Sequence, residues 1–367
     1  MPQLTIRPRD SILNPLLQRP SALDSKPRNT NYLWLDKNEN LDQELQKILS
    51  SILLHLPHHS LSTYPEAGEA YRKLAEWLVV GADQLLLTPG SDGAIRLVFE
   101  AFINSGDAVL HTSPTFAMYP IYSKMFGASV QFLEYLKSDN GPFLDPEIIM
   151  NAVKEYKPKL ICLPNPDSPT GTTQDPDVLY QILSLCEKMG TVLLLDEAYH
   201  PFYDWSAVQW TKESRNLIIA RTFAKAWGAA GLRVGYAVAH PDTIALLHKM
   251  RPMYEVSTIG VEFISRLIDK KSEMLKSVAR INEGKSFFRD EMQSIGFNVL
   301  STAGNFLHVD FGEQAHCVHA ALLSKVYYRI GFDSPSLAGF SRFSMAPRCV
   351  MERVSDMIKD AVLGIRS

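Results

Sequence analysis

Four short segments of the 367-residue chain combine residue types that can do chemistry. The first to consider is Arg221-Thr-Phe-Ala-Lys-Ala-Trp-Gly-Ala-Ala-Gly-Leu-Arg-Val-Gly-Tyr236, in which Lys225 sits among apolar and small residues and Arg233 follows it. An amine in such surroundings gives up its proton more readily, as an imine-forming nucleophile must. A surface lysine with its stem on apolar neighbours fits the same string. Asp196, in Asp196-Glu-Ala-Tyr199, ends the apolar run Val192 to Leu195. A carboxylate at the end of a buried strand is costly unless it meets a cation, and a protonated ring nitrogen would be one. A structural ion pair or a helix cap would also account for it.

The third segment, Thr88-Pro-Gly-Ser-Asp-Gly93, runs straight into a helical pattern. A Gly-Ser turn at a helix N-terminus offers free backbone N–H groups, a hydroxyl and the positive end of the helix dipole, all suited to a phosphate. Ser91 and Asp92 acting as plain N-caps is the alternative. If a phosphate does bind there, the Asp92 carboxylate must point elsewhere. The fourth, Pro164-Asn-Pro-Asp-Ser-Pro-Thr-Gly171, is so dense in Pro, Asn, Asp and Gly that it is irregular backbone, whether an exposed turn or part of a site.

Each segment follows a candidate strand. Gln84 to Leu87, Ala108 to His111, Leu160 to Leu163, Val192 to Leu195, Leu217 to Ala220 and Val234 to Ala239 are apolar runs, mostly without alternation, as strands covered on both faces should be. Between strands lie helical patterns, with Ile95, Val98, Phe99 and Phe102 at i, i+3, i+4, i+7. Alternating strands and helices predict a largely parallel α/β sheet, whose ligands bind at the carboxyl ends of the strands. A long helical stretch from Ser257 to Ile295 then leads to an α+β segment with strands at Phe306 to Phe311 and Arg342 to Ser344. The first thirty or so residues, rich in Pro, Arg and Ser, read as an arm lying on the body.

A formal charge of −3 leaves no basic field for nucleic acid or an anionic membrane surface, and 46% hydrophobic residues are enough for a substantial core. The cysteines, Cys162, Cys186, Cys317 and Cys349, form no CxxC pair, which argues against a zinc site or a disulfide framework. No metal site is expected. Neither a signal-peptide core nor an apolar run of spanning length is present, so a cytoplasmic location is expected.

Taken in order, GSD, NPxxPTG, DEAY, TFxKxWGxxGLRxGY and SRFS resemble the motifs of the class I and II pyridoxal-phosphate aminotransferases of the aspartate-aminotransferase fold, most closely the histidinol-phosphate aminotransferase family. Leu35-Asp-Lys-Asn-Glu-Asn40 matches that family's opening LDxNEN, and Thr63-Tyr64-Pro65 its RYP. The likeness runs from about residue 33 to the end. It implies fold type I: a large domain, 45–255, with a mostly parallel sheet of the seven-stranded type covered by helices, and a smaller α+β domain, 256–367, joined by part of the arm, 1–44.

The resemblance also implies roles. Lys225 would hold pyridoxal 5'-phosphate covalently and shuttle the proton, Asp196 would pair with its ring nitrogen, Tyr199 would bond its phenolic oxygen, and Phe116 would stack on the ring. Ser91, Asp92, Thr222, Arg233 and a Tyr64 reaching over from a second subunit would hold the phosphate, making the unit a homodimer. Asn38, Asn305 and Arg342 face the substrate in this picture, Arg342 on the α-carboxylate of the amino donor. Arg329 takes the place of an arginine that meets a substrate phosphate. The implied reaction moves an amino group from a small-molecule donor to a 2-oxo acid by a ping-pong cycle.

The chain departs from the family at several points. Ser168 replaces the asparagine before Pro-Thr-Gly, removing a hydrogen bond of roughly 1.5–3 kcal/mol to the phenolic oxygen unless serine or water replaces it. Ala224 replaces a serine before the lysine, and Ser344-Met-Ala-Pro-Arg348 replaces a glycine-containing turn. These changes leave open a decarboxylase of phosphorylated amino acids, such as threonine phosphate, or a biosynthetic tailoring enzyme on the same fold. A sensory cofactor-binding module has no helix-turn-helix before Leu35 to support it.

Overall fold

The computed structural model describes residues 8–17 and 27–364. The expected arm therefore lies partly outside the described residues. Its segment 8–17 rests on the helix Met118–Phe126, where Ser11 Oγ donates to the Met125 carbonyl at 2.8 Å.

Seven strands form the main sheet: β1 Leu85–Thr88, β2 Ala108–Ser113, β3 Ser129–Glu134, β4 Leu160–Pro164, β5 Val192–Asp196, β6 Leu217–Thr222 and β7 Gly235–Ala239. Their spatial order is β1-β7-β6-β5-β4-β2-β3. The neighbours from β6 through β3 pair parallel, whereas β7 runs antiparallel to both β6 and β1. Every residue of β1, β4, β5, β6 and β7 is buried, because helices cover both faces and the strands need no polar side. The edge strand β3, Ser-Val-Gln-Phe-Leu-Glu, is half exposed, and without a continuous apolar run it does not stand out in the sequence.

Three expectations shift. Gln84 belongs to a short 3-10 turn and the first strand starts at Leu85. The helix Gly90–Phe102 starts earlier than its apolar stripe, with Pro89 at the N-cap, so Ser91 and Asp92 lie inside its first turn and do not cap it. Lastly, the stretch 257–295 is two helices, Thr258–Ile268 and Lys271–Ser294. A tight turn from Leu267 to Lys270 separates them, and Lys73 fastens Asp269 there with a 2.5 Å ion pair.

A smaller antiparallel sheet joins β8 Asn298–Leu300, β9 Phe306–Asp310 and β10 Phe340–Ser344, with His308 opposite Arg342. Its core residues Phe288, Phe311, Phe343 and Ile358 enclose Leu35, so the segment around residue 35 packs with the C-terminal third. Leu33–Trp34 also pairs parallel with Val326–Tyr327.

Candidate active site

A cavity of about 590 Å³ opens beyond the carboxyl ends of β4, β5 and β6, at the junction with the smaller sheet. Lys225, Asp196, Tyr199 and Ser168 line it from the large sheet; Asn38, Arg329 and Arg342 line it from the other side.

Lys225 follows β6 on a turn anchored by buried Phe223, Ala226 and Trp227. Its Nζ donates to the Lys37 carbonyl at 2.8 Å and lies 5.8 Å from the centre of the Tyr199 ring. Burial, with Arg342 and Arg233 as cationic neighbours, pushes the amine down to about 8. One strand away, Asp196 ends β5 with Oδ1 accepting from the Ala198 N–H at 3.0 Å and Oδ2 from the Tyr119 hydroxyl at 3.1 Å. Burial outweighs both bonds and pushes its carboxyl up to about 6. No lysine or arginine pairs with it among the described residues, and its carboxylate faces the cavity as an anion in want of a cation.

The next residue, Glu197, turns away from the cavity. Its carboxylate meets buried Arg221 of β6 at 2.7 Å and takes the Ala207 N–H at 2.8 Å, which ties the turns carrying Asp196 and Lys225 together. Tyr199, pushed up by burial, accepts from Asn38 Nδ2 at 2.7 Å and donates to Ser168 Oγ at 3.4 Å.

Backbone builds the cavity's inner corner. The helix Gly90–Phe102 starts there with no side-chain cap, leaving its first N–H groups unspent by its own residues. Arg233, at φ +55°, packs its guanidinium over Gly90, where a Cβ would lie 2.9 Å from Nη2. Gly235 permits the approach of the helix start: a Cβ on it would lie 2.3 Å from the Gly90 carbonyl carbon and 2.5 Å from the Ser91 nitrogen. Ser91 and Thr222 line this corner, and Thr222 Oγ1 accepts from the Ala224 N–H at 3.1 Å. Asp92 borders the corner as well, but its Oδ1 takes the Tyr122 hydroxyl at 2.9 Å, so the carboxylate is held by the neighbouring helix. Phe116 forms a wall beside Tyr119, ring centres 5.8 Å apart and nearly perpendicular.

At the outer end, Arg342 is almost fully buried, lies over the Phe306 ring, and donates from Nη2 to the Asp36 carbonyl at 2.9 Å. Its Nε has no partner, and among the described residues no carboxylate pairs with it. Arg329 is bridged to Arg342 through backbone bonds of 3.0 and 2.8 Å and stacks on Phe332 at 4.3 Å.

Two expected residues lie off the cavity wall. Asn305 is fully buried behind it and donates to the Asn38 carbonyl at 3.1 Å, holding Asn38 at φ +55°. Tyr64, 73% exposed, stacks on Tyr254 outside the cavity of its own chain. The sequence reading passed over Tyr119, which lies in the first turn of the helix Met118–Phe126, just after the turn that carries Phe116. It also passed over the Arg221–Glu197 pair and Asp167. Among the described residues no cluster of His, Cys, Asp or Glu is arranged to hold a metal, and no helix is long and apolar enough to cross a membrane.

Residues 30–358 match the family described as aminotransferase class I and II. The histidinol-phosphate aminotransferase of Caldanaerobacter subterraneus subsp. tengcongensis is 33% identical over 296 residues, which cover 79% of this chain and 82% of that protein. That of Ruminiclostridium cellulolyticum is 28% identical over 317 residues, 85% and 87% of the two chains. The crystal structure of the Sinorhizobium meliloti histidinol-phosphate aminotransferase in complex with pyridoxal-5'-phosphate superposes with a TM-score of 0.77 at 21% identity, covering 91% of this chain and 92% of that one, a likeness of fold. The chain belongs to the class I and II aminotransferases. It is an enzyme of fold type I whose cofactor is pyridoxal 5'-phosphate.

Proposed function

We propose that this cavity binds pyridoxal 5'-phosphate through Lys225 and Asp196 and transfers the amino group of histidinol phosphate to a 2-oxo acid. The observation that carries the reading is the presence, in one cavity, of an amine pushed down to about 8 and a buried carboxylate that no lysine or arginine pairs with among the described residues. The residues present fit the cofactor. The uncapped helix start, Ser91, Thr222 and the Arg233 guanidinium form a corner for its phosphate, kept open by the missing Cβ atoms of Gly90 and Gly235. Asp196 suits its protonated ring nitrogen, Tyr199 and Ser168 its phenolic oxygen, and Phe116 its ring face. When bound, the cofactor supplies an electron sink for the charge left at the substrate's α-carbon.

The chain's own residues do the rest. Lys225 Nζ, deprotonated closer to neutral pH than an ordinary lysine, would take the α-proton and hand it on to the cofactor. Tyr119 keeps Asp196 aimed into the cavity through its 3.1 Å bond. Arg342, whose Nε is unspent and which pairs with no carboxylate among the described residues, binds the substrate's α-carboxylate and so orients the α-carbon. Asn38 braces Tyr199 and is itself held by Asn305 and Ser344.

The phosphorylated donor is supported by Arg329, a guanidinium on the cavity wall with no acidic partner among the described residues, and by the names of the relatives. The exposed Tyr64–Tyr254 stack supports a homodimer in which Tyr64 completes the partner's phosphate corner. Four free cysteines support a reducing compartment, the cytoplasm.

The test is a half-reaction. Cofactor-loaded protein mixed with histidinol phosphate, and separately with glutamate, should lose its visible absorption without any acceptor present. Retention of the band with both donors would overturn the substrate assignment. Release of carbon dioxide from a phosphorylated amino acid would replace transamination by decarboxylation.

A further inference from the structure

Asp167, between Pro166 and Ser168, is a fully buried carboxylate with no lysine or arginine partner among the described residues. Burying an anion this way is costly, and an apolar or amide side chain would be cheaper unless the charge does something its neighbours need. Its surroundings show what that is. Oδ1 accepts from the backbone N–H of Thr170 at 3.0 Å and from its hydroxyl at 2.7 Å, closing the Ser168-Pro169-Thr170 turn on itself. Oδ2 accepts at 3.2 Å from Thr112 Oγ1, on β2, the strand next to β4. Thr112 Oγ1 also lies 2.9 Å from Thr115 Oγ1, in the turn that carries Phe116. The carboxylate thus fastens together the two turns that form the Ser168 and Phe116 walls of the cavity. The Asp167 N–H and C=O join in, bonding the Thr172 carbonyl at 2.8 Å and the Gly171 N–H at 2.9 Å.

We propose that Asp167 is a positioning residue whose carboxylate ties these two turns so that Ser168 Oγ stays within reach of the Tyr199 hydroxyl. The proposal rests on the assignment of Ser168 and Tyr199 to the cofactor's phenolic oxygen. A serine at 168 has a shorter reach than the asparagine usual in the family, and cannot make up a backbone displacement by extending its side chain. Its hydrogen bond to Tyr199, already 3.4 Å long, tolerates little further separation. The backbone must therefore be held, and Asp167 holds it from one residue away.

The experiment follows the pH at which the visible absorption of the cofactor-loaded protein changes, alongside thermal stability. Ser168→Ala should move that midpoint to higher pH by about 0.5–1 unit, the size of one weakened hydrogen bond. Asp167→Asn, which keeps the shape and removes the charge, should move it the same way by a smaller amount, as should Thr112→Val, which cuts the tie from the other strand. In the Ser168→Ala background neither should add a further shift, because the residue they act through is gone. If Ser168→Ala moves the midpoint and Asp167→Asn lowers only the melting temperature, Asp167 is structural and the proposal is overturned. A shift by Asp167→Asn that persists undiminished in the Ser168→Ala background also overturns it. If Ser168→Ala leaves the midpoint in place, the assignment of Ser168 to the phenolic oxygen falls first, and the inference about Asp167 with it.

Discussion

The inner corner and the outer rim of the cavity are built from different material. The corner is mostly backbone: a helix start, two glycines and the ends of adjacent strands, with Arg233 clamped over Gly90. The rim is side chain, contributed by residues far apart in sequence: Asn38 near the start, and Arg329 and Arg342 near the end. Backbone packed to van der Waals contact has one arrangement, whereas an arginine over an aromatic ring can be exchanged without disturbing the sheet. On the proposed reading the corner would set which cofactor is held, and the rim which amine is accepted.

Variants should separate the two. Lys225→Ala, at the junction of both, should lower turnover by about 10^4-fold or more while the chain stays folded, measured as steady-state transamination. Arg342→Ala should lower kcat/KM by on the order of 10^2- to 10^3-fold, mostly through KM, because it removes a desolvated bidentate cation. Gly235→Ala should weaken cofactor binding by about tenfold or more in a titration of the cofactor-free protein, since its Cβ would meet backbone at 2.3 Å. Donor preference should not change with it. Conversely, Arg329→Gln should reduce kcat/KM for histidinol phosphate about tenfold and leave both glutamate and cofactor affinity near their starting values. A Gly235→Ala protein with altered donor preference, or an Arg329→Gln protein with weakened cofactor binding, would erase the division.

A smaller effect lies in pH. Asp196 and Asp167 are both pushed up to about 6 from 3.8, so the folded, cofactor-free protein binds protons there that the unfolded chain does not. Their contribution to stability is fully present below pH 3.8 and is lost as pH rises through about 6, at most about 3 kcal/mol for each. A cofactor cation beside Asp196 removes its share of the penalty. The gain in melting temperature on adding cofactor should therefore grow from pH 4 to pH 7, after allowing for the cofactor's own ionisation. A constant gain across that range would mean that Asp196 meets no cation.

Much of the corner was legible in sequence because buried parallel strands write themselves as apolar runs and their turns as Gly, Pro and Asp. The direction of β7 was not, since Val234 to Ala239 records burial on both faces and nothing about polarity. Edge strand β3 escaped because Ser129 to Glu134 mixes exposed and buried positions. Ser91 and Asp92 have the chemistry of N-caps, yet Pro89 and the positive φ of Gly90 place the helix start before them. The supporting shell, Tyr119 behind Asp196 and Asp167 behind Ser168, depends on which helix or strand passes alongside, and spacing along the chain does not carry that. The joining of Leu35 to the C-terminal core is likewise a matter of packing; only the resemblance pointed to it.

The rim's dependence on both ends of the chain has a consequence for biosynthesis. While a nascent chain is being extended, the sheet that bears Lys225 and the phosphate corner is complete by Ala239. Arg329 and Arg342 emerge long afterwards, and Asn38 waits for Asn305 and Ser344 before it is fixed. A polypeptide released before those residues are translated would carry the groups proposed to anchor the cofactor and neither guanidinium of the rim, a lysine with nothing to choose its substrate.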